Sequence, residues 1–210
     1  MGLSVDWCTC NIGATKPEES GWYFQWGGTT PYNSDRTPVS GGSAINFTND
    51  SNCPYLVSFP YDSYKWSKYT VTNDYSSTGT ADNKLILDLE DDAAHVHLGD
   101  NWRMPTAEEY QELIDACNTE WIENYNNTGI NGQLFILKTN DTKKLFFPAS
   151  GMLEKTSLND FSLYGHYLSS SINIESSDYC KYLSFYSAYY NVSYTYRFYG
   201  LPVRAVKLKN

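Results

Sequence analysis

At 210 residues and 41% hydrophobic content the chain is long and apolar enough to bury a sizeable core, which excludes a disordered or low-complexity protein. A formal net charge of −9, with no basic stripe, excludes a nucleic-acid phosphate backbone as the expected partner. No apolar run approaches the roughly 18 residues that a membrane-spanning helix needs, so no transmembrane segment is expected.

In chain order, Leu3 to Ala14 alternates well enough for an opening strand closed by Gly13, with no signal peptide before it. The first Met is compatible with a leader removed ahead of it. Pro17-Glu18-Glu19-Ser20 predicts a short helix or turn, and Gly21 to Gly28 (GWYFQWGG) an aromatic cluster ended by glycines. From Thr29 to about Gly79 periodicity gives way to Asn, Ser, Thr, Pro and Gly. Phe47, Tyr55, Leu56, Phe59, Tyr61, Tyr64, Trp66 and Tyr69 predict a long irregular region pinned to a core rather than a linker.

The helical signals lie in the centre. Glu90 to Gly99 (EDDAAHVHLG) reads as a short helix with acid at its N-terminus and a glycine stop. Thr106, with Glu109 three residues on, makes a capping box. It predicts a helix from Ala107 to about Cys117, with Tyr110, Leu113, Ile114 and Cys117 on its apolar face and Trp102 and Met104 buried beside it. Asn131-Gly132 is expected to turn, and Gln133–Lys138 and Lys144–Pro148 to form a β-hairpin around Asn140-Asp141.

The stretch from Gly165 to Val206 differs from the rest. It holds nearly half of the nineteen tyrosines, with one Asp, one Glu, one Lys and two Arg. In Tyr182-Leu183-Ser184-Phe185-Tyr186 the period is that of a half-buried strand. Leu183 and Phe185 are expected to face a core, with Tyr182, Ser184 and Tyr186 on the other side. Val192 to Phe198 offers a second run. Tyrosine joins a large ring to a hydroxyl at low rotamer cost, and Tyr with Ser is the composition of antibody-like binding surfaces. The same composition also suits any strand-rich protein. The expected ligand-binding set is Tyr179, Tyr182, Ser184, Tyr186, Tyr189, Asn191, Ser193, Tyr194, Tyr196, Phe198 and Tyr199, gathered on one face.

Five cysteines, Cys8, Cys10, Cys53, Cys117 and Cys180, cannot all pair internally. Cys8 and Cys10 on one strand face stand about 7 Å apart, too far for an unstrained disulfide, and the wide spacings argue against zinc. Most are expected as small buried hydrophobes.

Taken together, Gly2 to Trp7 with Cys10 to Ala14, Tyr23 to Gly27, Asp91 to Ala94, Trp102 to Thr106, Phe146 to Gly151, Ser169 to Ser171 and Gly200 to Val206 form an ordered set. By that set the chain resembles the Fibrobacter succinogenes major paralogous domain, found mostly in surface-exposed proteins of gut Bacteroidetes. It departs from the pattern at Leu168, where the family usually has Trp, and at Pro202, where Ser is common. The resemblance implies a single α+β domain over residues 1–210. Its fold would be the C-type lectin-like fold of the formylglycine-generating-enzyme type, with short helices around a small irregular antiparallel sheet. It also implies kinship with the variable proteins of diversity-generating retroelements, in which Asn-type codons are rewritten between fixed framework residues. Leu183, Phe185, Arg197, Gly200, Val203 and Arg204 stand at the framework positions, and residues 165–206 form the candidate variable region.

Catalytic arrangements are less well supported. His95 and His97 lie about 200° apart on a helix and do not face each other. Formylglycine-generating enzymes need a C-terminal cysteine pair, and Cys180 is alone there. Ser169-Ser170-Ser171 near His166 lacks elbow glycines and is expected as a turn. Asp88, Glu90, Asp91 and Asp92 offer carboxylates for a structural calcium without the alternating calcium-loop pattern; otherwise no metal or cofactor is expected. The expectation is a non-enzymatic receptor or adhesin for a protein or glycan, extracellular, at the cell surface or on a phage particle. An enzyme of formylglycine-generating type, or a structural module of a surface assembly, are the alternatives.

Overall fold

Turn-forming residues interrupt the first half of the chain so often that its strands stay at two or three residues. The computed structural model describes residues 3–48, 52–58 and 64–209. The early strands are β1 (Val5–Trp7), β2 (Tyr23–Phe24), β3 (Leu56–Ser58) and β4 (Lys65–Trp66). A 3-10 turn at Leu89–Asp91 leads into α1 (Ala93–Leu98), followed by β5 (Trp102–Arg103) and α2 (Ala107–Ala116). Then come β6 (Cys117–Tyr125), β7 (Ile130–Leu137), β8 (Lys144–Pro148), β9 (Met152–Glu154) and β10 (Ser157–Asn159). The chain finishes with β11 (Gly165–Ile172), β12 (Tyr179–Tyr186), β13 (Tyr189–Tyr196), β14 (Leu201–Pro202) and β15 (Val206–Leu208). Strand predominates over helix in small antiparallel sheets, a mixed α+β arrangement.

Two three-stranded sheets carry the longer strands, ordered β6-β7-β8 and β11-β12-β13. A third, β1-β15-β5, sets the first described strand beside the last. The β11-β12-β13 sheet is packed on both faces. One face meets Tyr110 and Leu113 of α2 together with Phe135 and Phe147. The other meets Phe24, Trp26, Tyr69, Met104 and Leu201.

The capping box forms as the sequence predicts. Thr106 Oγ1 accepts from Glu109 N at 3.3 Å, and Glu109 Oε2 accepts from Thr106 N at 2.9 Å. Glu109 also takes both guanidinium nitrogens of Arg103. Tyr110, Leu113 and Met104 are buried, while Trp102 and Ile114 are half-buried. The shorter helix starts at Asp92, whose carboxylate accepts from Ala94 N and His95 N, and Gly99 ends it.

Several expectations need correction. The opening strand covers only Val5–Trp7 and ends well before the chain turns at Gly13 (φ +81°). At Pro17 to Ser20 the expected turn does form, closed by Glu19 N to Lys16 O at 3.2 Å. The α2 helix stops at Ala116, and Cys117 opens β6, a strand the sequence did not suggest. Asn131-Gly132 lies inside β7, where the expected hairpin with β8 begins one residue early. Glycine is needed there because a Cβ would sit 2.2 Å from the Phe147 carbonyl oxygen, not because the chain turns. Ser169-Ser170-Ser171 is strand, inside β11. In the irregular region Phe47, Trp66 and Tyr69 are fully buried as expected, while Phe59 and Tyr61 lie outside the described residues.

Two buried arginines tie the C-terminal strands to these loops. Arg197 lies between Trp66 (3.9 Å) and Trp26 (4.7 Å) and donates to the carbonyls of Tyr69, Ser177 and Lys68. Burial brings its guanidinium down to about 10, and the aromatic faces and carbonyls offset part of that cost. Arg204 lies over Phe147 at 4.4 Å and donates to Asn11 Oδ1 and to the carbonyls of Cys8 and Thr9. All five cysteines are free thiols; Cys53, Cys117 and Cys180 are buried, Cys8 and Cys10 half-buried.

Candidate functional site

The site is built on the β12–β13 hairpin. A two-residue turn at Ser187-Ala188 joins the strands, and their pairing runs unbroken from Tyr186↔Tyr189 to Tyr179↔Tyr196. Paired residues share a sheet face, so this register decides which side chains meet. Tyr182, Ser184 and Tyr186 lie opposite Ser193, Asn191 and Tyr189 on one face. Tyr179 and Lys181 lie opposite Tyr196 and Tyr194 on the other face, in line with Leu183 and Phe185.

Leu183 and Phe185 are fully buried, and Tyr182, Ser184 and Tyr186 are half-buried on the opposite side, as the alternation predicts. The single binding face is not what forms. The candidate residues divide between both faces, because Tyr179, Tyr194 and Tyr196 have the parity of Leu183. Exposure runs diagonally across the hairpin. Near the turn, Ser184, Tyr186, Tyr189 and Asn191 reach solvent on the first face; at the far end Tyr179, Tyr194 and Tyr196 do so on the second. Tyr189 and Tyr194 are half-exposed or more, at 51% and 53%.

Phe198 is corrected outright. It is 6% exposed and packs beside Trp66 and Cys53, stacked on Tyr196 at 4.7 Å. The strand has ended by then, and the chain turns inward so that Tyr199 N reaches Tyr196 O. Tyr199 is half-buried, its hydroxyl donating to Glu154 Oε1 at 2.9 Å. What remains exposed is two patches of rings. Tyr186 lies between Tyr164 (5.1 Å) and Tyr189 (5.9 Å), and Tyr179 between Tyr196 (4.6 Å) and Tyr194 (5.3 Å).

Other residues enter these patches unforeseen. Lys181 Nζ sits 5.6 Å over the Tyr194 ring, and Tyr190 is 38% exposed; both were readable from position alone. Tyr64 (6.2 Å from Tyr196) and Tyr164 come from distant loops, and no local pattern marks them. Below the first patch His166 is buried, stacked on Tyr164 at 5.7 Å and with Nε2 3.5 Å from Asp160 Oδ2. Burial holds this imidazole below its usual value and outweighs the pull of Asp160 in the other direction.

The groups considered for catalysis are occupied structurally. Cys180 is fully buried, its Sγ is 3.6 Å from Thr195 O, and burial pushes the thiol up to about 12. Ser169 Oγ donates to Lys181 O, and Ser170 Oγ to Pro105 O. His95 Nδ1 lies 3.3 Å from Trp102 O and His97 Nε2 lies 2.8 Å from Thr29 O.

Asp88, Glu90 and Asp91 do converge, but around Lys68 Nζ, at 2.8, 3.2 and 2.6 Å. Lys68 and Lys84 hold the Asp88 carboxyl down at about 2. Tyr55 and Tyr69 donate to Asp91 as well. Asp92 is spent on backbone N–H groups of Ala94, His95 and Met104. A calcium ion on these carboxylates would have to displace the Lys68 ammonium.

A cleft of about 660 Å³ lies elsewhere, between Lys16, Glu19, Asn33, Thr128 and Phe161. Its Glu19 carboxylate is already engaged by Thr15 N and Lys16 N. No family model, curated protein or solved structure matched the chain.

Proposed function

We propose that this chain is a non-enzymatic recognition domain, a receptor or adhesin that binds a protein or glycan through the β12–β13 hairpin. The observation that carries the reading is the contrast within that hairpin. Leu183, Phe185 and Cys180 are fully buried, while Tyr189, Tyr194 and their Tyr, Ser and Asn neighbours reach solvent, with Lys181 over the Tyr194 ring as the one charged side chain of the hairpin. Rings that are held rigid yet left exposed suit an interface, since little entropy is lost when a ligand covers them. Cys180, as a buried neutral thiol, supports the non-enzymatic reading over formylglycine-type chemistry.

The finer fold assignment, C-type lectin-like of the formylglycine-generating-enzyme type, belongs to the same proposal. It is supported by the residues of the resemblance acting as framework: Trp7, Trp26, Met104, Phe147 and Arg204 are all buried. On this reading a retroelement varies Tyr182, Ser184, Tyr186, Tyr194 and Tyr196 over the fixed Leu183 and Phe185, and the domain works at a cell surface or on a phage particle. The test is a glycan array and a surface-protein panel probed with the chain and with its Tyr186→Ala and Tyr194→Ala variants. Loss of binding by about tenfold or more, with unchanged melting, is expected. Variants that bind as the parent does, or that unfold, would refute the proposal.

A further inference from the structure

Candidate side chains divided between two faces of a hairpin cannot all touch one flat ligand. β13 lies between the two patches, and it is the edge of its sheet. After a two-residue turn, Tyr186 and Tyr189 form a hydrogen-bonded pair, and bonded and non-bonded pairs alternate from there. Tyr189, Asn191, Ser193 and Thr195 therefore direct their backbone groups toward β12. Tyr190, Val192 and Tyr194 direct theirs outward, where they have no protein partner among the described residues.

Edges of this length are ordinarily blunted by lysine, proline, a bulge or a covering element. The β13 sequence, YYNVSYTY, carries no charge and no proline, and its register against β12 has no shift over eight pairs.

We infer that β13 accepts a further strand: an extended, lysine- or arginine-bearing segment of another protein. The inference rests on the recognition reading above and names its partner and mode. Successive side chains of an added strand fall on opposite faces. One set would meet Tyr186, Tyr189 and Asn191, the other Tyr190 and Tyr194, so both patches belong to one site.

Charge selects the occupant. With −9 on each chain, two copies repel. α2, which covers the Leu183 face and touches β13, carries Glu108, Glu112 and Asp115 on its outer side. Glu112 is partly engaged by Ser4; Glu108 and Asp115 are exposed. Lys181 of β12 is the hairpin's one cation set against these three carboxylates, so a cationic segment meets a complementary field along α2 and an acidic one does not.

The test uses the whole chain with two short labelled peptides, one alternating lysine and threonine, the other glutamate and threonine. Binding is read by fluorescence polarisation, with backbone amide exchange followed residue by residue. The lysine peptide should bind about tenfold more tightly at low salt and slow exchange at the Tyr190, Val192 and Tyr194 amides. Tyr194→Pro deletes an outward N–H and Tyr194→Ala keeps it, so the first should abolish binding and the second weaken it by about tenfold.

Equal losses from the two variants would overturn strand addition while leaving ring-based recognition standing. Unchanged exchange at these three amides in the parent protein with either peptide would also overturn it, whether or not Tyr194→Pro folds. A concentration-dependent dimer that protects the same amides would do so too, by making a second copy the occupant.

Discussion

Two long hairpins, β6–β7 and β12–β13, each leave one strand at a sheet edge, and the two edges are finished differently. β6 carries Glu120 and Glu123 exposed, and its register slips between Ile122 and Tyr125, where Asn124 takes φ +52°. Those are the devices that keep an edge from pairing with another chain. β13 has none of them, and it holds its alternation to the end. A chain that protects one edge and leaves another open treats the two as different kinds of surface. The difference lies in two glutamates and one backbone irregularity, since both hairpins are otherwise antiparallel pairs of similar length.

The comparison requires that the interior of β12–β13 be structural while its exposed rings are not. Phe185, fully buried among Phe135, Phe147 and Tyr167, should cost about 3–5 kcal/mol when changed to Ala. Tyr194→Ala should stay within about 0.5 kcal/mol. Urea melts of the two variants decide it: similar losses would erase the distinction between interior and display.

Next in size is the brace shared by both hairpins. α2 contributes Tyr110 and Leu113 to the core that also holds Phe135 of β7 and Leu183 of β12. Thr106→Ala removes its cap and should lower stability by about 1 kcal/mol in the same melts. A neutral result would mean that Arg103 and Glu109 hold the helix start without the threonine.

A smaller effect separates the ground beneath the two hairpins by pH. His166, under the Tyr182 face, is held below the ordinary histidine value of 6.5 by burial, with Asp160 opposing. The unfolded chain then binds a proton more readily than the folded one. Stability contributed by the neutral ring is complete above about pH 6.5 and declines as pH falls toward the lowered folded value. Urea midpoints should drop between about pH 7 and about pH 5.5, and His166→Phe should flatten that part of the profile. A slope that His166→Phe leaves unchanged would assign the effect to other groups.

How much of this was legible depends on the range of the determining interaction. The Thr106–Glu109 box and the inward Leu183 and Phe185 were readable, because capping and strand alternation act over a few residues. β6 was not: its Asn, Glu and Thr look like a polar loop, and only pairing with β7 makes it a strand. Asn131-Gly132 misled because glycine serves close approach as well as turns, and here the Phe147 carbonyl demands it. Three successive serines read as a turn, yet their hydroxyls are satisfied by Lys181, Pro105 and Ala107, two of which lie far along the chain. Parity placed Tyr182, Ser184 and Tyr186 together, but seeing that Tyr194 and Tyr196 lie on the other face required the register across the turn.

The smallest expected change bears most directly on the two edges. Glu120 and Glu123 are exposed on β6, so Glu120→Thr with Glu123→Thr removes two charges and leaves strand propensity intact or improved. Stability should move by no more than about 0.5 kcal/mol, as at other surface positions. Self-association should rise above that of the parent chain in sedimentation velocity at matched concentrations, because the edge has lost its repulsion while its outward backbone groups remain. The rise should be modest, since the irregularity at Asn124 still interrupts the free edge. If the double variant sediments as the parent does, the two glutamates are not what closes β6, and the bare edge of β13 loses its meaning as a contrast. If it associates strongly, the charges alone guard β6, and their absence from β13 marks the strand that is free to take a partner.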